Sequence, residues 1–336
     1  MVGIVIVTHN SERVIGESLD ACLRQKAVQV LVVDNASTDR TLDQVERRHG
    51  VRLIANSTNL GFAAAANQGF AVLDTPFVLL LNPDAVLLTD LQPLVEAVGR
   101  TGVAAAGGRL VNGDGSPQDG FNVRGFPTAA TLSFEALGWN RLWTNNPVNR
   151  RYRVSTPQSE QEVEQPAGAF LMLRRAAWEY IGGLDERFFP VWFEDVDFCL
   201  RLRQRGFKIL FAPAAAARHE GGHSVLAANF RFRELAWYGS LLTYATKHFA
   251  NRGVRAVSAA VVLGCPPRML RALWHQRSFK PVSVYSRVMW LAAKQFLAGR
   301  SGELEAAHGQ NAGPAPNSQA VENISVAEKV VRRYHT

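Results

Sequence analysis

Glu194, Asp195 and Asp197 put three carboxylates within four residues, at the entry to a helical pattern. One strand later the chain reads His219-Glu220-Gly221-Gly222-His223. A carboxylate fixed at a helix mouth can take the proton of an attacking hydroxyl. A neutral imidazole returning beside it can bind a divalent cation. Together these residue types suit a metal-dependent transfer with a carboxylate base. A plainer reading stands next to it. Acids are common in the first turn of a helix, and Asp197 can pair with Arg201 one turn on. On a helix, His219 and His223 would form a ligand pair. The two glycines between them indicate instead a turn able to close over a phosphate. His219 is therefore the ligand candidate, and His223 a phosphate contact. The helix dipole favours ionised Asp195 by about 0.3–1 kcal/mol. The charges of Glu194 and Asp197 oppose it and are expected at least to cancel it.

Such residues need a frame. The apolar run at 3–7 reads as a strand buried on both faces, and 30–33, 51–54 and 77–81 read as further strands. Between them lie helical patterns, capped by Asn10 or Ser11 and by Ser37 or Thr38, and an Ala-rich helix over 61–73. Alternation of this kind predicts an α/β fold with a doubly covered, mostly parallel sheet. Ligands of open α/β sheets bind outside the carboxyl ends of the strands. Thr8-His9-Asn10, Asp34-Asn35-Ala36-Ser37, Asn59 with Gly61, and Asn82-Pro83-Asp84 all fall at such ends. Asp34 can accept from a base N–H or from ribose hydroxyls. Asp84, behind a stiffening proline, suits Mg²⁺ or Mn²⁺, which take oxygen ligands. No GxGxxG or GxxxxGK[ST] phosphate loop and no GxSxG elbow occurs.

Beyond the first hundred residues the pattern loosens. Residues 111–165 read as loops, a flap on the acceptor side. A strand at 169–173, a helix at 195–204 and a strand at 209–212 follow. From Arg231 to Arg300 twelve Lys and Arg stand against one acid, Glu234, in a chain whose net charge is +8. The rest is therefore mildly acidic, and the basic part is interleaved with aromatics such as Trp237, Trp274, Phe279 and Trp290. That mixture suits an anionic membrane surface; nucleic acid is not expected. The longest apolar run, 256–265, is about half of the roughly 20 residues needed to span a bilayer, so membrane contact is expected to be peripheral. Cys22, Cys199 and Cys265 are widely spaced and read as buried thiols in a reducing compartment. No basic leader precedes an apolar stretch, so no secretory signal is expected. Residues 301–336 read as a disordered tail with a short helical stretch near 327–333.

The segments IVIVTHNS, VVDNASTD, NLGFAAAANQG, LLLNPDA, PAGAFLMLRR, FEDVDFCLR and HEGGHS occur in that order. Together they resemble glycosyltransferase family 2, the inverting nucleotide-sugar transferases of GT-A fold, and within it the rhamnosyltransferase-like subgroup. The resemblance covers about residues 1–225. It implies a catalytic domain over 1–225; the composition beyond it sets apart a basic helical membrane-associating extension over 226–300 and a tail over 301–336. It implies that Thr8 and Asp34 hold the nucleoside, and that Asn59, Gly61 and Asn67 shape the nucleotide pocket, with Asn10 and Asn82 in the same donor site. The family's metal motif is usually Asp-x-Asp; here Asn82-Pro83-Asp84 leaves Asp84 as the one full carboxylate. His219 matches the second metal ligand and Asp195 the catalytic base. Trp192, Glu194, Asp197 and His223 become supporting residues on the acceptor side. The activity implied is transfer of L-rhamnose from dTDP-rhamnose, with Mg²⁺ or Mn²⁺, to a lipid-linked saccharide in cell-envelope polysaccharide synthesis. The enzyme would sit on the cytoplasmic face of the membrane. A UDP-hexose, UDP-N-acetylhexosamine or UDP-galactofuranose donor is the alternative, with a non-catalytic nucleotide- or nucleic-acid-binding protein behind it.

Overall fold

The strand β1 (Val2–Thr8) is buried along its whole length. It pairs in parallel with β2 (Val28–Asn35) and with β4 (Phe77–Leu81), and β2 pairs in parallel with β3 (Val51–Asn56). Between these strands lie α1 (Ile15–Leu23), α2 (Thr41–Glu46) and α3 (Phe62–Val72). A computed structural model of the chain describes residues 1–221 and 229–299. Gly222, His223 and the whole 301–336 tail lie outside the described residues.

The sheet continues with β5 (Ala85–Leu87), β6 (Val103–Val111), β10 (Phe170–Arg174) and β11 (Lys208–His219). Its order is β3-β2-β1-β4-β10-β6-β11-β5, with β8 (Gln161–Glu162) paired to β11. β10 runs antiparallel to both β4 and β6, and β5 runs antiparallel to β11. The sheet is mostly parallel, as expected. Alternate residues of β1 enter different cores, Ile4 and Ile6 on one face and Val5 and Val7 on the other. Ile15, Leu19 and Cys22 of α1, and Leu94 and Val98 of α4 (Gln92–Val98), cover the first face. Phe70 of α3 covers the second, with Trp178 of α8 (Arg175–Ile181) and Phe198 and Leu202 of α9 (Glu194–Gln204). The three cysteines are free and buried.

Two expectations need correction. Residues 111–165 are not simply loops. They contain α5 (Ala129–Leu137), α6 (Trp139–Leu142) and α7 (Pro147–Tyr152), and the two-stranded ribbon of β7 (Val123–Arg124) with β9 (Gln165–Pro166). The local signals are caps rather than periodicity: Thr128 accepts from the Thr131 N–H, and Asn146 accepts from the Asn149 N–H ahead of Pro147. Nor do Asn10 and Ser37 cap helices. The Asn10 N–H donates to Ser37 Oγ at 2.8 Å, and Asn10 Oδ1 accepts from the Thr38 N–H at 2.8 Å. These residues join the loops after β1 and β2.

The basic segment folds into α10 (Phe230–His248), α11 (Asn251–Gln276) and α12 (Lys280–Ala298). Its apolar faces form a third core, in which Tyr238, Leu241, Val261 and Val288 meet Leu132 and Ala136 of α5, Phe188 and Val196. The run at 256–265 understates α11. That helix has 26 residues and is apolar enough, by length and composition, to cross a membrane, with 33% of its apolar window buried inside the protein.

Candidate active site

Strand pairing brings two distant residues together. After a register irregularity between Ala212 and Ala216, β11 runs along β5 and pairs His219 with Ala85. His219 thus arrives beside Asp84, with Nε2 3.3 Å from Asp84 Oδ1 and 3.4 Å from Asn82 Nδ2. Both are nearly enclosed, His219 at 3% exposure and Asp84 at 7%. The imidazole stacks on Phe121 with ring centroids 5.4 Å apart. Gln118 sets its tautomer. The Gln118 amide NH₂ donates to the His219 carbonyl at 2.7 Å and to Asn112 Oδ1 at 3.0 Å. Gln118 Oε1, 3.0 Å from Nδ1, must therefore accept, and Nδ1 carries the proton. In the neutral imidazole the Nε2 lone pair then faces the Asp84 carboxylate. Two acceptors aimed at one point want a proton or a cation between them. One carboxylate oxygen and one imidazole nitrogen form a suitable partial donor set for Mg²⁺ or Mn²⁺, leaving coordination positions for phosphate oxygens and water. Among the described residues, no cluster of three or more His, Cys, Asp or Glu could hold a metal.

The acids at the mouth of α9 divide by environment. Asp195 Oδ2 accepts from the Gly168 N–H at 3.0 Å and from the Gln165 amide at 3.3 Å, while Oδ1 accepts from the Val196 N–H at 2.8 Å. The fit at Gly168 is close: a Cβ there would lie 2.8 Å from Asp195 Oδ2. Burial raises the Asp195 pKa above the usual aspartate value, against the pull of the Gly168 and Val196 N–H groups and the charge of Arg124. The sequence leads one to expect the neighbouring acids at least to cancel the helix dipole; the direction here is upward, and its leading cause is burial rather than repulsion by those acids. Asp197 exerts little repulsion because its own charge is matched. It accepts from Arg201 Nε at 2.8 Å and His248 Nε2 at 2.7 Å, and Lys247 Nζ lies 2.5 Å away. Those partners hold its carboxyl below the usual range despite burial. Asp197 does not line the cavity, so its place is in the packing of α9 against α10 rather than on an acceptor. Glu194 is 5% exposed, lines the cavity and has no hydrogen-bond partner at Oε2. Burial, then the charge of Asp195, pushes its pKa well up.

Trp192 and Phe193, directly before these acids, have φ of 82° and 70°. Side chains rarely adopt such left-handed backbone, and each residue there costs of order 1–3 kcal/mol. Contacts hold the turn in place: Ser240 Oγ donates to the Val191 carbonyl at 2.9 Å, and Phe193 packs on Tyr244 with centroids 5.4 Å apart.

On the side of β1 and β2, Thr8 Oγ1 donates to Asp34 Oδ1 at 2.7 Å, and Ser37 donates to the same carboxylate from its N–H and its hydroxyl. Thr8 lines the cavity, while Asp34, 1% exposed, stands behind it and organises the loop. Asn35 faces the cavity and donates to the Gly61 carbonyl at 3.0 Å. Asn59 and Asn82 also line it. Gly61 has φ of 86°, and a Cβ there would meet the Phe189 ring at 2.8 Å. Asn10 is exposed in the loop described above. Asn67 is likewise away from the cavity; its amide binds the Leu184 backbone and Glu186. His223 lies outside the described residues.

Thr8, Asn82, Asp84, Glu194, Asp195, Trp192 and His219 therefore share one cavity of about 530 Å³. Its remaining wall was not expected from sequence. Arg124, Glu135, Tyr152 and Arg153 come from the 111–165 region, and Phe232 and Trp237 come from α10. Cavity-lining arginines in a stretch read as loop carry no periodic signal. The structure thus joins the buried carboxyl groups of Glu194 and Asp195, a candidate cation pair and an aromatic, basic wall.

The model of the family described as Glycosyl transferase family 2 matches residues 3–180. The chain is 32% identical over 215 residues to the N-acetylglucosaminyl-diphospho-decaprenol L-rhamnosyltransferase of Mycobacterium tuberculosis, covering 60% of this chain and 69% of that protein. It is 26% identical over 234 residues to Rhamnosyltransferase WbbL of Escherichia coli (strain K12), covering 66% and 84%. Among solved structures, S. aureus TarS 1-349 in complex with UDP-GlcNAc matches with a TM-score of 0.50 and 14% identity, over 99% of this chain and 91% of that one. That last likeness is one of fold.

Proposed function

This chain belongs to glycosyl transferase family 2, and we infer from that premise that its cavity binds a nucleotide sugar and passes the sugar, with inversion, to a hydroxyl of a lipid-linked saccharide. The observation that carries the reading is the convergence of Asp195 with the Asp84–His219 pair on one cavity. In this reading Asp195 takes the proton of the acceptor hydroxyl as its oxygen attacks the anomeric carbon. The new carbon–oxygen bond forms as the bond to the nucleoside diphosphate breaks on the opposite face. Asp84 and His219 are the residues that would hold Mg²⁺ or Mn²⁺. Such a cation, when bound, supplies positive charge to the leaving diphosphate. Thr8 and Asn35 line the donor end, with Asp34 and Gly61 shaping it from behind. Arg124, Arg153, Phe232 and Trp237 form the wall available to the acceptor.

The activities for which the M. tuberculosis and E. coli relatives are named favour L-rhamnose as the sugar, with dTDP-rhamnose as donor. The M. tuberculosis relative's name also favours a polyprenyl-diphosphate-linked acceptor in cell-envelope polysaccharide synthesis. Purified full-length chain would be incubated with Mn²⁺, a polyprenyl-diphosphate-linked saccharide and, in parallel, dTDP-rhamnose, UDP-glucose, UDP-N-acetylglucosamine or UDP-galactofuranose. Transfer from dTDP-rhamnose with inverted anomeric configuration is expected. Transfer from a UDP-sugar alone would replace the donor, and no transfer from any donor would overturn the reading.

A further inference from the structure

We propose that α6 and the α11–α12 hairpin together form a docking face for an anionic lipid bilayer, on which the enzyme sits peripherally on the cytoplasmic side. The apolar side chains of this face are unusually bare. Leu142 and Trp143 are 85% and 60% exposed, Leu270 and Trp274 are 65% and 83%, and Phe279 is 85%. A single exposed leucine needs no explanation, but a cluster of large apolar groups does. These five come from two stretches far apart in sequence. Arg268, on the core side of α11 with Val261 and Cys265, fixes that helix against the end of α5, just ahead of α6, by donating to the Glu135 carbonyl at 2.7 Å and to the Ala136 carbonyl. Trp139, where α6 begins, follows within one turn. Leu270 and Trp274 continue along α11 at a spacing of four, one helix face. Phe279 then sits at the turn into α12, beside Arg277 in left-handed backbone.

The charge of the face selects the occupant. Between Ala136 and Ser159 there is no acid, while Arg141, Arg150 and Arg151 are present, Arg153 being paired with Glu135 at the cavity. Residues 230–299 hold eleven Lys and Arg against Glu234 alone, and ten remain once Lys247, buried between Asp185 and Asp197, is set aside. Arg287 and Lys294 lie over the exposed Trp290 ring at 4.3 Å and 4.6 Å. Bare Trp and Phe among Arg and Lys is the composition of a surface that enters the headgroup layer of an anionic membrane. A second copy of the chain would set two basic faces against each other. Although α11 is long enough to span a bilayer, Val257, Val261 and Cys265 on its other side are buried in the third core. That packing favours lying on the surface over crossing it. The face and the acceptor wall are built from the same two groups of elements, since α7 supplies Tyr152 and α10 supplies Phe232 and Trp237 to the cavity.

Docking rests on the glycosyltransferase reading only for its purpose, so the two can fail separately. Full-length protein would be floated with phosphatidylglycerol–phosphatidylcholine vesicles and with pure phosphatidylcholine vesicles, at about 0.15 M salt, where the Debye length is about 8 Å. The comparison is a Trp143→Ser/Trp274→Ser/Phe279→Ser variant, whose fold is checked by circular dichroism and by transfer to a water-soluble acceptor. Wild type is expected to float with the anionic vesicles, and the variant to bind at least about tenfold more weakly while keeping soluble-acceptor turnover. Equal flotation of variant and wild type would overturn the proposal. So would absence of wild-type binding, stronger binding to a DNA duplex than to vesicles, or resistance of the cellular protein to alkaline carbonate extraction. Vesicle binding without sugar transfer from any donor would sink the enzymatic reading and leave the docking face standing.

Discussion

Asp84 Oδ1 and His219 Nε2 lie 3.3 Å apart because β5 and β11 pair antiparallel at their ends, and Gln118 settles which imidazole nitrogen faces the carboxylate. The pair is thus prepared by backbone pairing and by one amide behind it. Asp84→Asn or His219→Ala should abolish Mn²⁺ binding measured by titration calorimetry in the presence of nucleoside diphosphate. Gln118→Leu removes the orienting partner and should weaken Mn²⁺ affinity by roughly 10–100-fold, the usual effect of losing such support. Unchanged Mn²⁺ affinity in all three would contradict the assignment.

Asp195→Asn keeps the shape of the carboxylate and removes its basicity. Turnover should fall by about 10²–10⁴-fold, the range for general-base catalysis, with donor affinity nearly unchanged. Steady-state kinetics beside equilibrium donor binding separates the two quantities. A parallel loss of donor affinity would make Asp195 a binding residue instead.

Burial raises the pKa of both Glu194 and Asp195. The folded state therefore holds protons that the unfolded chain releases, and stability falls as pH rises from the ordinary carboxylate range through the folded pKa values. Glu194→Gln removes one of these buried ionisations. Its melting temperature should exceed that of wild type by a few degrees at pH 8, a shift of about 1–2 kcal/mol for a chain of this size. Little difference is expected near pH 4, below the unfolded value, where Glu194 is protonated in both states. A constant offset between the two pH values would exclude titration as the cause. On the kinetic side, kcat/KM should decline on acidification at a pH above the ordinary aspartate value.

Lys247 links α10 to Asp185 and Asp197, at 2.5 Å from each. It is 6% exposed, and the Asp197 side chain is fully buried. Lys247→Met leaves those carboxylates under-compensated and should destabilise the fold by about 3–5 kcal/mol in urea unfolding. Asp197→Leu together with Lys247→Met should recover part of that loss, because burying apolar side chains carries no charge penalty. An additive double variant would show that the two do not interact.

The parts of the molecule legible in sequence are those whose signals are local. The runs of β1, β2 and β4 announce buried strands, while β3, with Arg52 inside its run, is the part-exposed edge of the sheet; the polar residues after these strands reach a common edge. Asp197 with Arg201 follows from helical spacing and is present at 2.8 Å. The remaining partners of Asp197, Lys247 and His248, sit in α10, and no local pattern points to them. Arg124 and Tyr152 enter the cavity through a ribbon and a one-turn helix, elements too short for periodicity to reveal. Asp34 and Asn67 illustrate the converse. Both stand where the motifs place them, yet each spends its hydrogen bonds on holding a loop. Residue type alone does not distinguish a group that touches a ligand from one that supports its neighbour.

Trp192 and Phe193 have a different implication. A sequence shaped only for ease of folding would carry glycine at both positions, since glycine adopts positive φ without penalty. Bulky rings there load the turn like a bent spring held at both ends, by the helix that Phe193 opens and by the Ser240 and Tyr244 contacts. Glycine replacements would relax the hinge before Asp195 and remove the Trp192 wall of the cavity. Local comfort and the aim of the Asp195 carboxylate pull in opposite directions at this turn, so in the proposed reading improved robustness there would come at the expense of turnover.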